Sequence, residues 1–173
     1  MKIDSVVDVA PHPLSAQVNS VAESGSVPAC VAIVASRYNG EILERLIGGA
    51  IDELVTAGVP SSGIHLLRVP GAFEIPQAVV GVLDALPQCG AVVTLGCVIR
   101  GETPHFDYVC QTCADGVADL ARRQPVPITL GVLTADTMAQ AQARSSDDSH
   151  NKGREAARSA LQLAAVLANL KAR

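Results

Sequence analysis

Ala29-Cys30-Val31-Ala32-Ile33-Val34-Ala35 is an unbroken apolar run, rich in β-branched residues and no longer than a strand. A run with no polar alternation fits a strand covered on both faces. From Glu41 to Ala57 the period changes. Ile42, Leu43, Leu46, Ile47, Ala50, Ile51, Leu54 and Val55 recur at helical spacing, and Gly58 supplies a C-terminal stop. The same two patterns then repeat: a strand over Ile64 to Val69 and a helix within Ile75 to Leu86; a strand over Ala91 to Ile99 and a helix from about Tyr108 to Arg123; a strand over Ile128 to Leu133 and a helix over Thr137 to Arg144. A last helix, from roughly Arg154 to Leu170, carries Ala157, Leu161, Ala164, Ala165 and Ala168 as an apolar stripe. Strands that alternate with helices imply a parallel sheet joined by right-handed crossovers, with helices on both faces. The predicted fold is α/β, a three-layer α/β/α sandwich on a four-stranded parallel sheet. Residues 1 to 27, with Pro11, Pro13 and Gly25 among small polar residues, read as an N-terminal arm before a single domain over 28 to 173.

Composition narrows the classes. The 173 residues suit one domain with a full core. A net charge of -4 gives no basic footprint for nucleic acid. Charged residues make up 17% of the chain, against roughly 25% in ordinary soluble domains, so burial in an oligomer is the expected remedy. The longest uncharged run, Ala85 to Ile99, is too short to span a bilayer as a helix and is broken by Pro87 and Gly90. The first thirty residues lack the compact apolar stretch of a signal peptide, and the expected address is the cytoplasm. The 5 cysteines are an odd set scattered through apolar segments, which argues against a disulfide scaffold. Cys110 and Cys113 form a C-x-x-C within a helical pattern, without a second pair to make a metal site, and read as packing.

In an open α/β sheet ligands collect at the carboxyl ends of the strands. The loops there are Ser36-Arg37-Tyr38-Asn39-Gly40, Pro70-Gly71-Ala72-Phe73-Glu74 and Arg100-Gly101-Glu102-Thr103-Pro104-His105-Phe106-Asp107-Tyr108. All the aromatics of the chain, 2 Tyr and 2 Phe with no Trp, lie in these loops. Two readings stand: a planar ligand, or plugs for the sheet ends. Lysine occurs only at Lys2, Lys152 and Lys171. Lys152 follows Arg144 across a Ser/Asp-rich loop, so the pair either meets an anionic or carbonyl-bearing ligand or belongs to a solvated loop in which Arg144 pairs with Asp147 or Asp148. Gly101 to Thr103 offer backbone N–H groups and a hydroxyl near a helix start, a candidate phosphate site. No G-x-G-x-x-G or Walker-type run occurs, so a nucleotide cofactor is not expected. His105 stands at a ligand end between Thr103 and Asp107, as a proton shuttle or a helix-capping residue.

Four segments carry a family resemblance: Ser36-Arg37-Tyr38-Asn39; Val69-Pro70-Gly71-Ala72-Phe73-Glu74-Ile75-Pro76; Leu95 through Val109, reading LGCVIRGETPHFDYV; and Arg144 with Asn151-Lys152-Gly153. In order and spacing they resemble lumazine synthase, from about Ala29 to the C-terminal helix. The resemblance implies a flavodoxin-like fold and a transferase of riboflavin biosynthesis. It condenses 5-amino-6-ribitylamino-uracil with 3,4-dihydroxy-2-butanone 4-phosphate, needing no metal or redox cofactor. It implies that Tyr38 stacks on the pyrimidine, that Asn39, Ala72, Phe73 and Glu74 hold the ribityl side, and that Val98 and Ile99 read the ring edge with their backbone groups. Leu130 completes that pocket. Gly101, Glu102, Thr103 and Arg144 would bind the phosphate, His105 would move protons, and Lys152 would reach the pyrimidine from a neighbouring subunit. The implied assembly is a homopentamer with sites between subunits, possible growth to a sixty-subunit icosahedral shell, and riboflavin synthase as a candidate partner. The chain departs from the family in Tyr38, where Phe or Trp is common, in Leu130, where an aromatic is common, in its more acidic Ser145 to His150 loop, and in Glu102, a carboxylate beside the phosphate site that must turn away or pair with Arg100.

Overall fold

The computed structural model describes residues 27–171, so the predicted arm lies outside the described residues apart from Val27. The chain runs β1 (Val31–Ser36), α1 (Gly40–Thr56), β2 (Ile64–Val69), α2 (Ile75–Ala85), β3 (Ala91–Ile99), α3 (His105–Arg123), β4 (Ile128–Ala135), α4 (Met138–Arg144) and α5 (Lys152–Lys171), with short 3-10 turns over Ser61–Gly63 and Ala72–Glu74. All strand pairs are parallel, in the order β2-β1-β3-β4. The α/β sandwich expected from the apolar pattern is the fold observed.

The pattern of the strands follows from their position. β1 is buried along its whole length, as is β3 up to Cys97, because both are central, whereas at the edges β2 is buried only at Ile64 and Val69 and β4 mixes buried with open residues. Successive side chains of β1 feed opposite cores. Val31, Ile33 and Ala35 pack with Leu43, Leu46 and Leu54 of α1 and Ala157 and Ala160 of α5. Ala32 and Val34 pack with Ile75, Val79 and Val82 of α2 and Cys113 and Val117 of α3. The helices thus form two layers around one sheet.

Several element boundaries differ from expectation. The third helix starts at His105 rather than near Tyr108. Pro104 at its N-cap has φ -63, the value its ring imposes, and Asp107 favours the positive helix start. The last helix starts at Lys152 rather than Arg154, because the Asn151 side chain caps it. β4 extends two residues past Leu133, where Val98 and Ile99 of β3 supply partners for Thr134 and Ala135. β1 begins at Val31, two residues after the start of its apolar run.

Candidate active site

The connection from β1 leads to β2 on one side of the sheet order while β3 lies on the other, so a crevice opens at the carboxyl ends of β1 and β3. Asn39 spans it. Its side-chain Nδ2 donates to the Cys97 carbonyl at 2.9 Å. Its backbone is left-handed, with φ 57, which Asn tolerates better than most residues. Beside it the 3-10 turn Ala72–Glu74 is closed by the Glu74 carboxylate, which accepts the Gly71 N–H at 2.9 Å. Gly71 is buried, and a Cβ there would lie 3.4 Å from the Tyr38 ring, so the ring rests against bare backbone. The structure therefore brings Tyr38, Asn39, Gly71 and Glu74 to one rim.

The aromatics differ in exposure. Phe106 is 9% exposed, with the Arg100 guanidinium over its ring, while Tyr38 at 72%, Phe73 at 57% and Tyr108 at 72% stand open. Large exposed apolar surface of this kind marks a contact or ligand face.

Arg100 organises the neighbouring loop. Its guanidinium lies 4.1 Å from the Phe106 ring centroid, and it pairs with Asp107 at 3.0 Å and Asp136 at 2.8 Å. Those two carboxylates hold its proton more firmly than usual. Of the two alternatives for Glu102, the pair with Arg100 is not formed: Asp107 and Asp136 occupy the guanidinium, and Glu102 is exposed. Gly101, Thr103 and His105 are exposed as well, with His105 as the first residue of α3.

The remaining site candidates lie elsewhere on the chain. Leu130 is 49% exposed on the edge strand, paired with Thr94, and Ile99 lies five residues further along the neighbouring strand, about 16 Å at ~3.3 Å per residue. Leu130, Arg144 and Lys152 line a cavity of about 520 Å³ between β4, α4 and α5. A second hollow of about 400 Å³ is lined by Arg144, His150, Lys152 and Glu155. Lys152 is ion-paired with Glu155 one turn on. Neither Asp147 nor Asp148 pairs with Arg144 among the described residues; the Asp148 carboxylate instead accepts the His150 N–H at 2.7 Å and the Ser146 hydroxyl at 3.0 Å, which lower its pKa. Both bonds fall on Oδ1, so the carboxylate is turned into its own loop. The pairing expected of a solvated loop is therefore not formed, although Arg144 and the residues from Asp147 to His150 are exposed.

One chain thus carries two sets of candidates, a rim set and an edge set, which the cavities do not join. Residues that sequence reasoning left out include Gln140, Glu155 and Ser159, which also line the edge cavity. Glu155 had a signal, a carboxylate three residues after Lys152; Gln140 and Ser159 had none. Among the described residues no three His, Cys, Asp or Glu side chains gather as a metal site, and no helix is long and apolar enough to cross a membrane.

Comparison with known proteins completes the description. Residues 28–168 match the family model described as 6,7-dimethyl-8-ribityllumazine synthase. Over 141 residues the chain is 47% identical to a 6,7-dimethyl-8-ribityllumazine synthase of Halorhodospira halophila (strain DSM 244 / SL1), covering 82% of this chain and 90% of that protein.

Proposed function

The chain belongs to the 6,7-dimethyl-8-ribityllumazine synthase family, and we propose that it performs the family's condensation at a site made by two copies of itself. The reaction joins 5-amino-6-ribitylamino-uracil to 3,4-dihydroxy-2-butanone 4-phosphate and yields 6,7-dimethyl-8-ribityllumazine. The pyrimidine amine adds to the ketone and water leaves as the imine forms. Phosphate is then eliminated, the double bond migrates, and ring closure expels a second water.

The observation that carries this reading is the division of the candidates into two incomplete sets. The rim set of one copy, Tyr38, Asn39, Ala72, Phe73, Glu74, Val98 and Ile99, offers an open aromatic and hydrogen-bonding groups for a flat heterocycle and its polyol. The edge set of a neighbour, Leu130, Arg144 and Lys152, supplies the cations. Arg144 has no ion-pair partner among the described residues, and a guanidinium free of carboxylates is suited to a phosphoester. Gly101 and Thr103 add donors beside the start of α3, where the helix favours an anion, and Glu102 borders that pocket. His105 at the same helix start moves protons among amine, imine and enol, with water or phosphate as the exchange partner. Positioning two reactants supplies the larger share of the barrier reduction.

Such a shared site requires a homo-oligomer, which the family resemblance makes a pentamer at least, and its place is the cytoplasm. An icosahedral shell and an association with riboflavin synthase extend the same proposal. Mixing both substrates with the purified protein tests the activity: lumazine absorbance and inorganic phosphate rise together in equal amounts. Release of phosphate without lumazine, or neither, contradicts it.

A further inference from the structure

Asn151 is 1% exposed in the loop between α4 and α5, and every hydrogen-bonding position of its side chain is used. Oδ1 accepts the Gly153 N–H at 2.9 Å and the Arg154 N–H at 3.1 Å, capping α5. Nδ2 donates to the Arg45 carbonyl of α1 at 3.1 Å and to the Ser145 carbonyl at 3.3 Å. Two glycines make room for this. A Cβ on Gly49 of α1 would lie 2.5 Å from Asn151 Oδ1, and a Cβ on Gly153 would lie 2.0 Å from the Leu46 carbonyl oxygen. The loop is therefore bolted to α1, a core helix, by one buried amide. Its two bonded ends adjoin the two cations: Ser145 follows Arg144, and Lys152 follows Asn151. Asn151 lines neither cavity that those cations share.

We propose that Asn151 is a positioning residue that fixes Arg144 relative to Lys152, and through that spacing sets the affinity for the phosphate-bearing substrate. The inference rests on the reading of Arg144 as the phosphate ligand. Oδ1 and Nδ2 divide the work. Acceptance by Oδ1 holds the start of α5 and so the Lys152 backbone, while donation by Nδ2 holds the end of α4 and so Arg144. Asn151→Asp keeps the acceptors and removes the donors, and it faces the Ser145 and Arg45 carbonyls with a carboxylate. It should release the Arg144 side and the tie to α1 while leaving the cap of α5 in place.

Three full-length variants test this, with steady-state kinetics for each substrate and calorimetric titration of inorganic phosphate. Asn151→Asp raises the KM of the butanone phosphate and the Kd of inorganic phosphate by roughly five- to tenfold, the cost of one to two lost positional hydrogen bonds. The KM of the pyrimidine stays within twofold. Gly49→Ala, which must push Asn151 aside while favouring the α1 backbone, shifts the same two constants in the same direction. Arg144→Ala raises both further. A purely structural Asn151 would lower thermal stability and leave the KM values unchanged. If Arg144→Ala shifts the phosphate constants while Asn151→Asp and Gly49→Ala do not, the inference is overturned and the role of Arg144 survives. If Arg144→Ala leaves them unchanged, the role of Arg144 fails and the inference fails with it.

Discussion

The amide of Asn39 donates to the Cys97 carbonyl at 2.9 Å, tying the loop after β1 to the end of β3 across the crevice between them. The bond leaves the Asn39 Oδ1 available to a ligand hydroxyl. Replacing Asn39 by Ala removes the strut and places a less tolerant residue at φ 57, which together cost about 2 kcal/mol. Asn39→Gly relieves the backbone and loses the bond, for about half that cost. Denaturant unfolding of the two variants reads the difference, and both raise the KM of the pyrimidine substrate.

His105 opens α3 and is exposed. Its replacement by Ala or Gln lowers kcat by about 10²-fold and at most about 10⁴-fold. The KM values change little and activity persists, because the orientation of the reactants survives. Complete loss of turnover in a folded, substrate-binding variant would assign His105 a larger role than proton transfer.

The guanidinium of Arg100 holds together the end of β3, the first turn of α3 and Asp136 beyond β4. The ion pairs are open to solvent, so their removal costs little in stability. The kinetic cost is larger, because the loop from Gly101 to Thr103 hangs between the joined elements. Arg100→Met is expected to melt within a few degrees of the parent and to lose more than tenfold in kcat/KM for the phosphate substrate.

Much of this arrangement was legible in the amino-acid pattern, for identifiable reasons. β2 and β3 fall where expected because Gly63 and Pro70, and Gly90 and Arg100, interrupt the apolar runs on either side. Helix starts were less legible. α5 begins two residues early because a side chain also bound to α1, 106 residues away in sequence, caps it. The partners of Arg100 illustrate the same limit: Asp107 is near in sequence, but Asp136 becomes adjacent only once β4 pairs with β3. The resemblance gave the candidate residues and a site between subunits; it did not give the exposure of Leu130, which reaches the surface because β4 is an edge strand.

The cysteines make a prediction about alkaline stability. Burial pushes the thiols of Cys30, Cys97 and Cys113 up to about 11 from an ordinary 9.0, and raises Cys89 and Cys110 as well. Below pH 9 these thiols are neutral in both the folded and unfolded chain. Above it the unfolded thiols lose protons that the folded ones keep, so stability falls as pH rises from 9 toward 11. Unfolding midpoints measured across that window should decline steadily. At pH 8 the buried Cys30, Cys89, Cys97 and Cys113 should react slowly with a disulfide reagent until denaturant is added, and the half-buried Cys110 should react first.

The sharing of each site between copies is tested most directly by hybrid assembly of two inactive variants. Tyr38→Ala combined with His105→Ala disables the rim set, and Arg144→Ala combined with Lys152→Ala disables the edge set. Dissociating the two proteins, mixing them and reassembling them creates interfaces where an intact rim meets an intact edge. Activity should reappear in the mixture, up to about a quarter of the parent value, as random pairing places an intact rim with probability one half beside an intact edge with probability one half. A mixture that reassembles to the parent size yet stays as inactive as its two components would contradict the shared site.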